Sequence, residues 1–372
     1  MKNPTKKLLI RDIELGGNSP VRVQSMTNTD TRNIQTTINQ INELQQAGCE
    51  IIRLAVPDTE AAHALSSIRK KTAAPLVADI HFDAKLALLS LEAGIDALRI
   101  NPGNIGSSQK VNMVVDAAKE YHVPIRIGVN SGSVEKYLLE KYNGPTPQAM
   151  VESAFKHIDL LEKRNFEQIK ISLKSSSVLT TINAYRLLAQ KTDYPLHIGV
   201  TEAGTLIRGT VKSSIGLGIL LYEGIGDTLR VSLTGQPKDE VLVAWEILRS
   251  LGLRQRGPEI ISCPTCGRTE IDLVGLTREV EKHLQSVTEV FTVAVMGCVV
   301  NGPGEAKEAD IGLAGGKGCG IVFRKGQVIK KIENQKEIIP EFLKELDSFI
   351  QERNKDYGPD QKPCLKTLNH DL

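Results

Sequence analysis

The sequence lacks a charge imbalance, a long apolar run and a regular spacing of cysteines. Its 372 residues carry 46 Lys and Arg against 44 Asp and Glu, a formal charge of +2. That balance offers no electrostatic footprint for nucleic acid or for an anionic membrane surface. No stretch of about 18 apolar residues is present, so no membrane-spanning helix is expected. Met1 to Arg11 is basic but lacks the apolar core of a signal peptide. Six cysteines at irregular spacing in a chain of this size do not form a disulfide pattern. A reducing, cytoplasmic location is therefore expected. No glycine-rich dinucleotide fingerprint follows the first strand candidate, which argues against a doubly wound open sheet.

What the sequence does contain is alternation. Its length exceeds what one compact core usually holds, so two domains are expected. Eight β-branched runs begin at Val21–Thr27, Ile51–Pro57, Leu76–Phe82 and Ala97–Asn101, and continue with Pro124–Val129, Gln168–Leu173, Leu196–Thr201 and Thr228–Leu233. Several are apolar almost throughout, as parallel strands covered on both faces are. Between them run amphipathic stretches, such as Ile34–Ala47, Val151–Lys163, Val178–Gln190 and Lys238–Leu251. Eight strand–helix units predict a TIM (β/α)8 barrel over residues 1–256. After a hinge at Arg254-Gln255-Arg256-Gly257-Pro258 the pattern changes to a few strands and two helices, a small α+β domain over 257–355. The tail, 356–372, has no periodicity and is expected to be loosely ordered.

Chemistry in a barrel of this kind sits at the carboxyl ends of the strands, and here those ends are polar. They hold Arg53, then Asp79 and His81, then Arg99, then Arg126 and Asn130, then Lys174, then His197 and Glu202, then Arg230 and Ser232. Any one of these could be a solvated or capping residue. Four arginines and a lysine inside otherwise apolar strands are harder to explain so, because converging cations repel without anionic company. Guanidinium forks suit phosphate oxygens and lysine adds a point charge. A small, multiply charged substrate such as a diphosphate is expected.

The second domain carries Cys263-Pro264-Thr265-Cys266-Gly267 and Met296-Gly297-Cys298-Val299-Val300-Asn301-Gly302-Pro303-Gly304-Glu305. Three cysteines and a glutamate could hold one iron–sulfur cluster. A four-cysteine zinc site using Cys319 is the competing reading, although zinc ribbons favour a second closely spaced pair. Glu305 alone reads as a surface residue after a turn. Cys49 reads as a buried apolar residue and Cys364 as an incidental thiol.

Over nearly its full length the sequence resembles the bacterial 4-hydroxy-3-methylbut-2-enyl diphosphate synthase family of the non-mevalonate isoprenoid pathway. The segments that carry the resemblance are VQSMTNTDTRN, VADIHFD, LRINPGN, RIGVNSGS, HIGVTEAG, LRVSLTG, ISCPTCGR and MGCVVNGPGEA. ADIGLAGG also resembles the cluster domain of sulfite and nitrite reductases. The resemblance implies a [4Fe-4S] cluster held by Cys263, Cys266, Cys298 and Glu305, leaving Cys319 outside the ligand set, with Glu305 as a displaceable ligand. It implies a barrel that binds 2-C-methyl-D-erythritol 2,4-cyclodiphosphate through Arg53, Arg99, Arg126, Asn130, Lys174, Arg230 and Ser232. Asp79, His81, His197 and Glu202 would line the pocket, with Glu202 handling protons and the two histidines positioning. It also implies a flavodoxin, or a ferredoxin, as electron donor and a head-to-tail homodimer. Two rival readings stand beside it: a pteridine-binding barrel transferase, and a regulator with a zinc ribbon on an inactive barrel.

Overall fold

The computed structural model describes residues 4–298 and 306–356. The chain separates into two compact units, Met1–Arg254 and Gln255–Leu372. The first opens with an antiparallel hairpin, β1 (Leu8–Ile10) and β2 (Ile13–Leu15), which turns at Arg11-Asp12 with Arg11 at φ 57°. Eight strands follow: β3 (Arg22–Met26), β4 (Ile51–Ala55), β5 (Leu76–Ile80), β6 (Ala97–Ile100), β7 (Ile125–Asn130), β8 (Ile169–Lys174), β9 (His197–Ile198) and β10 (Thr228–Leu229). They pair in the order β8-β7-β6-β5-β4-β3-β10-β9. A parallel bridge from Ile171 to Leu196 spans the remaining gap, so the sheet closes almost completely into the expected TIM barrel.

The strands form because their residues are buried on both faces. Every residue of β5 and of β8 is buried, including the polar ones. The helices cover the outside with one apolar stripe each. Ile34–Gln46, for example, buries Ile38, Ile41 and Leu44, and starts where the Asn33 side chain accepts from the Thr36 N–H. The hairpin was not foreseen. Its Leu8, Ile10 and Leu15 pack on Ile51, Val77 and Ala97, at the starts of β4, β5 and β6, and so close the amino end of the barrel. The last two barrel strands are shorter than expected. Beyond Ile198 and Leu229 the chain leaves regular pairing, although the Arg230 N–H still donates to the Ile198 carbonyl at 3.0 Å. Arg254, expected within the hinge, is anchored to the barrel: it donates to Glu50 and the Val21 carbonyl and lies over the Trp245 ring.

The second unit is one five-stranded sheet, β11 (Glu259–Ser262), β12 (Thr292–Met296), β13 (Ile311–Gly316), β14 (Cys319–Arg324) and β15 (Gln327–Ile332), in that order. The first three are mutually parallel and the last three antiparallel. Helices Leu273–Leu284 and Ile338–Asp356 contribute Leu276, Val280, Phe342 and Leu346 to a core shared with Val293, Val295 and Leu313. Among the described residues no helix is long and apolar enough to cross a membrane.

Candidate functional site

Parallel register places the polar residues of adjacent barrel strands side by side: Asp79 beside Arg99, Arg99 beside Arg126, and Arg126 beside Lys170. Asp79 is the hub. One oxygen accepts from Arg99 Nη1 at 3.2 Å; the other lies 3.2 Å from His81 Nε2 and 3.7 Å from Arg53 Nε. Burial opposes ionisation of Asp79, but Arg53, His81 and Arg99 together outweigh it and hold the carboxyl well below its usual range. Gly128 makes room for this arrangement, since a Cβ there would lie 2.7 Å from Arg99 Nε.

Arg53 and Arg230 meet at the Met26 thioether, which accepts from Arg53 Nε at 3.1 Å and Nη2 at 2.9 Å, and from Arg230 Nη1 at 3.7 Å. Burial pushes Arg53 down to about 10, partly offset by Asp79. Arg230 is held by Glu240, whose carboxylate accepts from its Nε at 3.2 Å and Nη2 at 3.3 Å, and also from Ser25 Oγ and the Leu233 N–H. Glu240 was missed in the sequence. Its signal is an acid on the apolar stripe of helix Pro237–Ser250, in line with Val241, Ala244 and Ile247.

Arg126 and Lys174 are buried without an ion pair among the described residues. Burial, and then the neighbouring arginines, disfavour the charged form of both. A guanidinium keeps its proton regardless, so the strain on Arg126 expresses a missing counter-charge. Five cations (Arg53, Arg99, Arg126, Lys174, Arg230) converge on two carboxylates, Asp79 and Glu240. Such an excess favours a multivalent anion.

The remaining expected residues stand further off. His197 is sealed in the barrel, its Nδ1 2.8 Å from Thr228 Oγ1 and its Nε2 without a hydrogen-bond partner among the described residues; burial and then Arg126 and Lys174 push its basicity down. Asn130 and Ser232 are half-buried, and Glu202 is exposed. None of these three holds a side-chain hydrogen bond to the cationic cluster among the described residues. Glu202 sits at φ 52°, a left-handed conformation uncommon for a side chain of its size. Strain of this kind concentrates at functional sites.

In the second unit β11 and β12 run parallel with Ser262 opposite Val295. Residues just past both strands therefore emerge at the same sheet end, which brings Cys263 and the Gly297-Cys298 turn together. The Gly297 N–H donates to Cys263 Sγ at 3.2 Å. The Cys263–Thr269 loop folds back, with the Glu270 N–H on the Gly297 carbonyl at 3.1 Å and the Cys266 N–H on Thr269 Oγ1 at 3.1 Å. A backbone N–H from Arg268 favours the Cys266 thiolate. Cys298 is buried and Cys266 exposed. Thiols at one sheet end, two of them receiving backbone N–H groups, suit iron–sulfur ligation. Among the described residues no group of three His, Cys, Asp or Glu is gathered closely enough to hold a single metal ion. Cys319 starts β14, and Glu305 lies outside the described residues.

Two family models match the chain, the GcpE TIM-barrel domain over residues 5–245 and the GcpE protein C-terminal domain over residues 259–348. Relatives named 4-hydroxy-3-methylbut-2-en-1-yl diphosphate synthase (flavodoxin) are similar along almost the whole length. The protein of Maridesulfovibrio salexigens is 67% identical over 95% of this chain and 98% of its own. That of Nitratidesulfovibrio vulgaris is 60% identical over 96% and 93%, and that of Clostridium perfringens 57% over 94% and 99%. Among solved structures, dihydropteroate synthase of Stenotrophomonas maltophilia overlays 66% of this chain and 98% of its own at TM-score 0.49 and 13% identity, too slight a likeness to bear on activity. With both units matched and the relatives covered end to end, the chain belongs to the GcpE family.

Proposed function

We propose that this chain is an oxidoreductase of isoprenoid biosynthesis that converts 2-C-methyl-D-erythritol 2,4-cyclodiphosphate to 4-hydroxy-3-methylbut-2-enyl diphosphate, with flavodoxin as electron donor and ferredoxin as the substitute. The observation that carries this reading is the excess of buried cations inside a barrel whose relatives are named for a diphosphate product. The named relatives lend no support to a zinc-ribbon regulator or a pteridine transferase.

The reaction removes a hydroxyl-level oxygen with two electrons and opens the cyclic diphosphate. Arg53, Arg99, Arg126, Lys174 and Arg230 hold the phosphates, with Asn130 and Ser232 at the rim. Asp79 and Glu240 keep the arginine forks in place, so the site is organised before substrate arrives. The cations stabilise the diphosphate oxygen released as the ring opens. Glu202 handles the proton near the reacting carbon, and His81, beside Asp79, positions the substrate. His197 acts by packing, since its ring is sealed inside the barrel. Cys263, Cys266 and Cys298, with Glu305, would hold a [4Fe-4S] cluster. When bound, it supplies electrons one at a time, which no side chain here can do. We place residues 1–256 as the substrate-binding domain, 257–355 as the cluster domain and 356–372 as a tail, in a cytoplasmic homodimer arranged head to tail.

Anaerobic purification followed by iron and sulfide counts and turnover with reduced flavodoxin tests this reading. Brown, iron-loaded protein that converts the cyclic diphosphate is expected, and Cys298→Ala should lose both colour and turnover. Colourless, iron-free protein with undiminished activity would overturn it.

A further inference from the structure

Met26 ends β3, which lies between β4 and β10 in the barrel sheet. Its register partner on β4 is Arg53, and Arg230 follows β10 by one residue. Two guanidiniums from flanking strands therefore reach one half-buried thioether. Its Sδ accepts from Arg53 Nε at 3.1 Å and Nη2 at 2.9 Å, and from Arg230 Nη1 at 3.7 Å.

Packing alone does not ask for sulfur here. Among the described residues, both hydrogen bonds of the Arg53 guanidinium end on Met26. An apolar side chain would leave that edge of the fork without an acceptor. Asp79 competes for it: one carboxylate oxygen lies 3.7 Å from Arg53 Nε, against 3.2 Å between the other and Arg99 Nη1. A carboxylate fixes a guanidinium and cancels its charge at once. A thioether is a weak, neutral acceptor. It sets the direction of the fork and leaves the charge for an incoming anion. Arg230 is held in the same divided way, with Glu240 on its Nε and Nη2 and the sulfur on its Nη1. The sulfur is thus a contact common to two like charges that would otherwise fall back on their separate acids.

We propose that Met26 is a positioning residue of the anion site, whose thioether aims Arg53 and Arg230 at one diphosphate and holds Arg53 off Asp79. This rests on the reading of the site as a diphosphate site. Without the sulfur, Arg53 turns to Asp79, and part of the grip organised before substrate arrives is lost.

The test uses the full chain, purified anaerobically. Met26→Leu keeps the volume and removes the acceptor. Calorimetry should show it binding pyrophosphate about tenfold more weakly than the parent chain, as the loss of one hydrogen bond to a charged group predicts. KM for the cyclic diphosphate should rise by a similar factor, with most of the loss in KM rather than kcat. Met26→Gln returns an acceptor through its amide oxygen and should bind pyrophosphate within about threefold of the parent. Met26→Glu returns the acceptor together with a negative charge and should bind it about 100-fold more weakly. Equal affinity in the parent and Met26→Leu overturns the proposal, and so do equal losses in Met26→Leu and Met26→Gln. Should Met26→Leu fail to fold, the glutamine and glutamate variants carry the test, and equal binding by those two overturns it. Any of these results in a parent chain that turns over the cyclic diphosphate refutes the role of Met26 alone. A parent chain that binds neither pyrophosphate nor the cyclic diphosphate refutes the reading of the site and this proposal with it.

Discussion

Asp79 serves two purposes at once, and substitution separates them. It neutralises part of the charge of Arg53 and Arg99 in a site where it is 4% exposed, and it fixes their direction. Removing one partner of a buried pair leaves the others uncompensated and costs about 3 kcal/mol. Asp79→Asn should therefore lower the melting temperature. The same change leaves the arginines readier for an outside anion, so pyrophosphate should raise the melting temperature more in the variant than in the parent chain. Equal rises would mean that Asp79 does not compete with the ligand for these cations. Lys174 makes a second prediction. Burial and its arginine neighbours depress its pKa in the free protein, whereas a bound diphosphate favours the protonated form. Binding then draws a proton from solution, and affinity should fall as pH rises above the depressed value. Calorimetry of pyrophosphate binding in two buffers of different ionisation heat should show this uptake, and Lys174→Met should abolish it. Unchanged uptake in the variant would assign the proton elsewhere. The cations themselves were legible because charge interrupts apolar strands. Glu240 was not, because an acid in the first turn of a helix reads as a dipole partner; only the barrel turns it inward against Arg230.

The barrel strands were legible as elements because burial on both faces makes them continuous apolar runs. The elements that were missed lack that signature. Each strand of the β1–β2 hairpin is three residues long, too short to show a period, and its apolar face is explained only by the barrel floor it covers. Strand β11 is mostly exposed and pairs on one side alone, so its sequence, EIIS, carries little pattern. Missing it hid the reason why Cys263 and Cys298 meet, which is the parallel register of β11 with β12. One helix offers more apolar surface than the barrel uses. On Leu206–Tyr222, Ile207, Val211, Ile215 and Ile219 form a row at four-residue spacing and are 79%, 53%, 50% and 37% exposed, while Leu217, Leu220 and Leu221 face the barrel. An exposed row of this kind is costly in water and marks a contact surface. Such a row supports the proposed homodimer, with a second copy as occupant. Val211→Lys with Ile215→Lys should shift the chain from dimer to monomer in sedimentation, with its melting temperature little changed. A double variant that sediments as the parent chain does would remove this helix from the interface.

At the scale of the whole molecule, the proposed chemistry needs residues from both units. In that proposal the barrel would grip the diphosphate, and the electrons would arrive through the cysteine unit. In a two-fold homodimer with head-to-tail pairing, each catalytic centre would combine the barrel of one subunit with the cysteines of the other. Complementation distinguishes this from a centre built within one chain. Arg53→Met disables a barrel and Cys298→Ala disables a cysteine unit, so each homodimer should be inactive. The two chains can be co-expressed with different tags and the heterodimer isolated by sequential affinity steps under anaerobic conditions. If centres form in trans, one of the two unites an intact barrel with intact cysteines and the other has neither. The heterodimer should then turn over at about half the rate of the parent dimer. If centres form within a chain, both contain a defect and the heterodimer is inactive. Joining both substitutions in one chain and pairing it with an unsubstituted chain reverses the expectation: a centre within each chain leaves about half the activity, while trans pairing leaves none. The two pairings answer in opposite directions, so a loss of activity through misfolding cannot be mistaken for either arrangement.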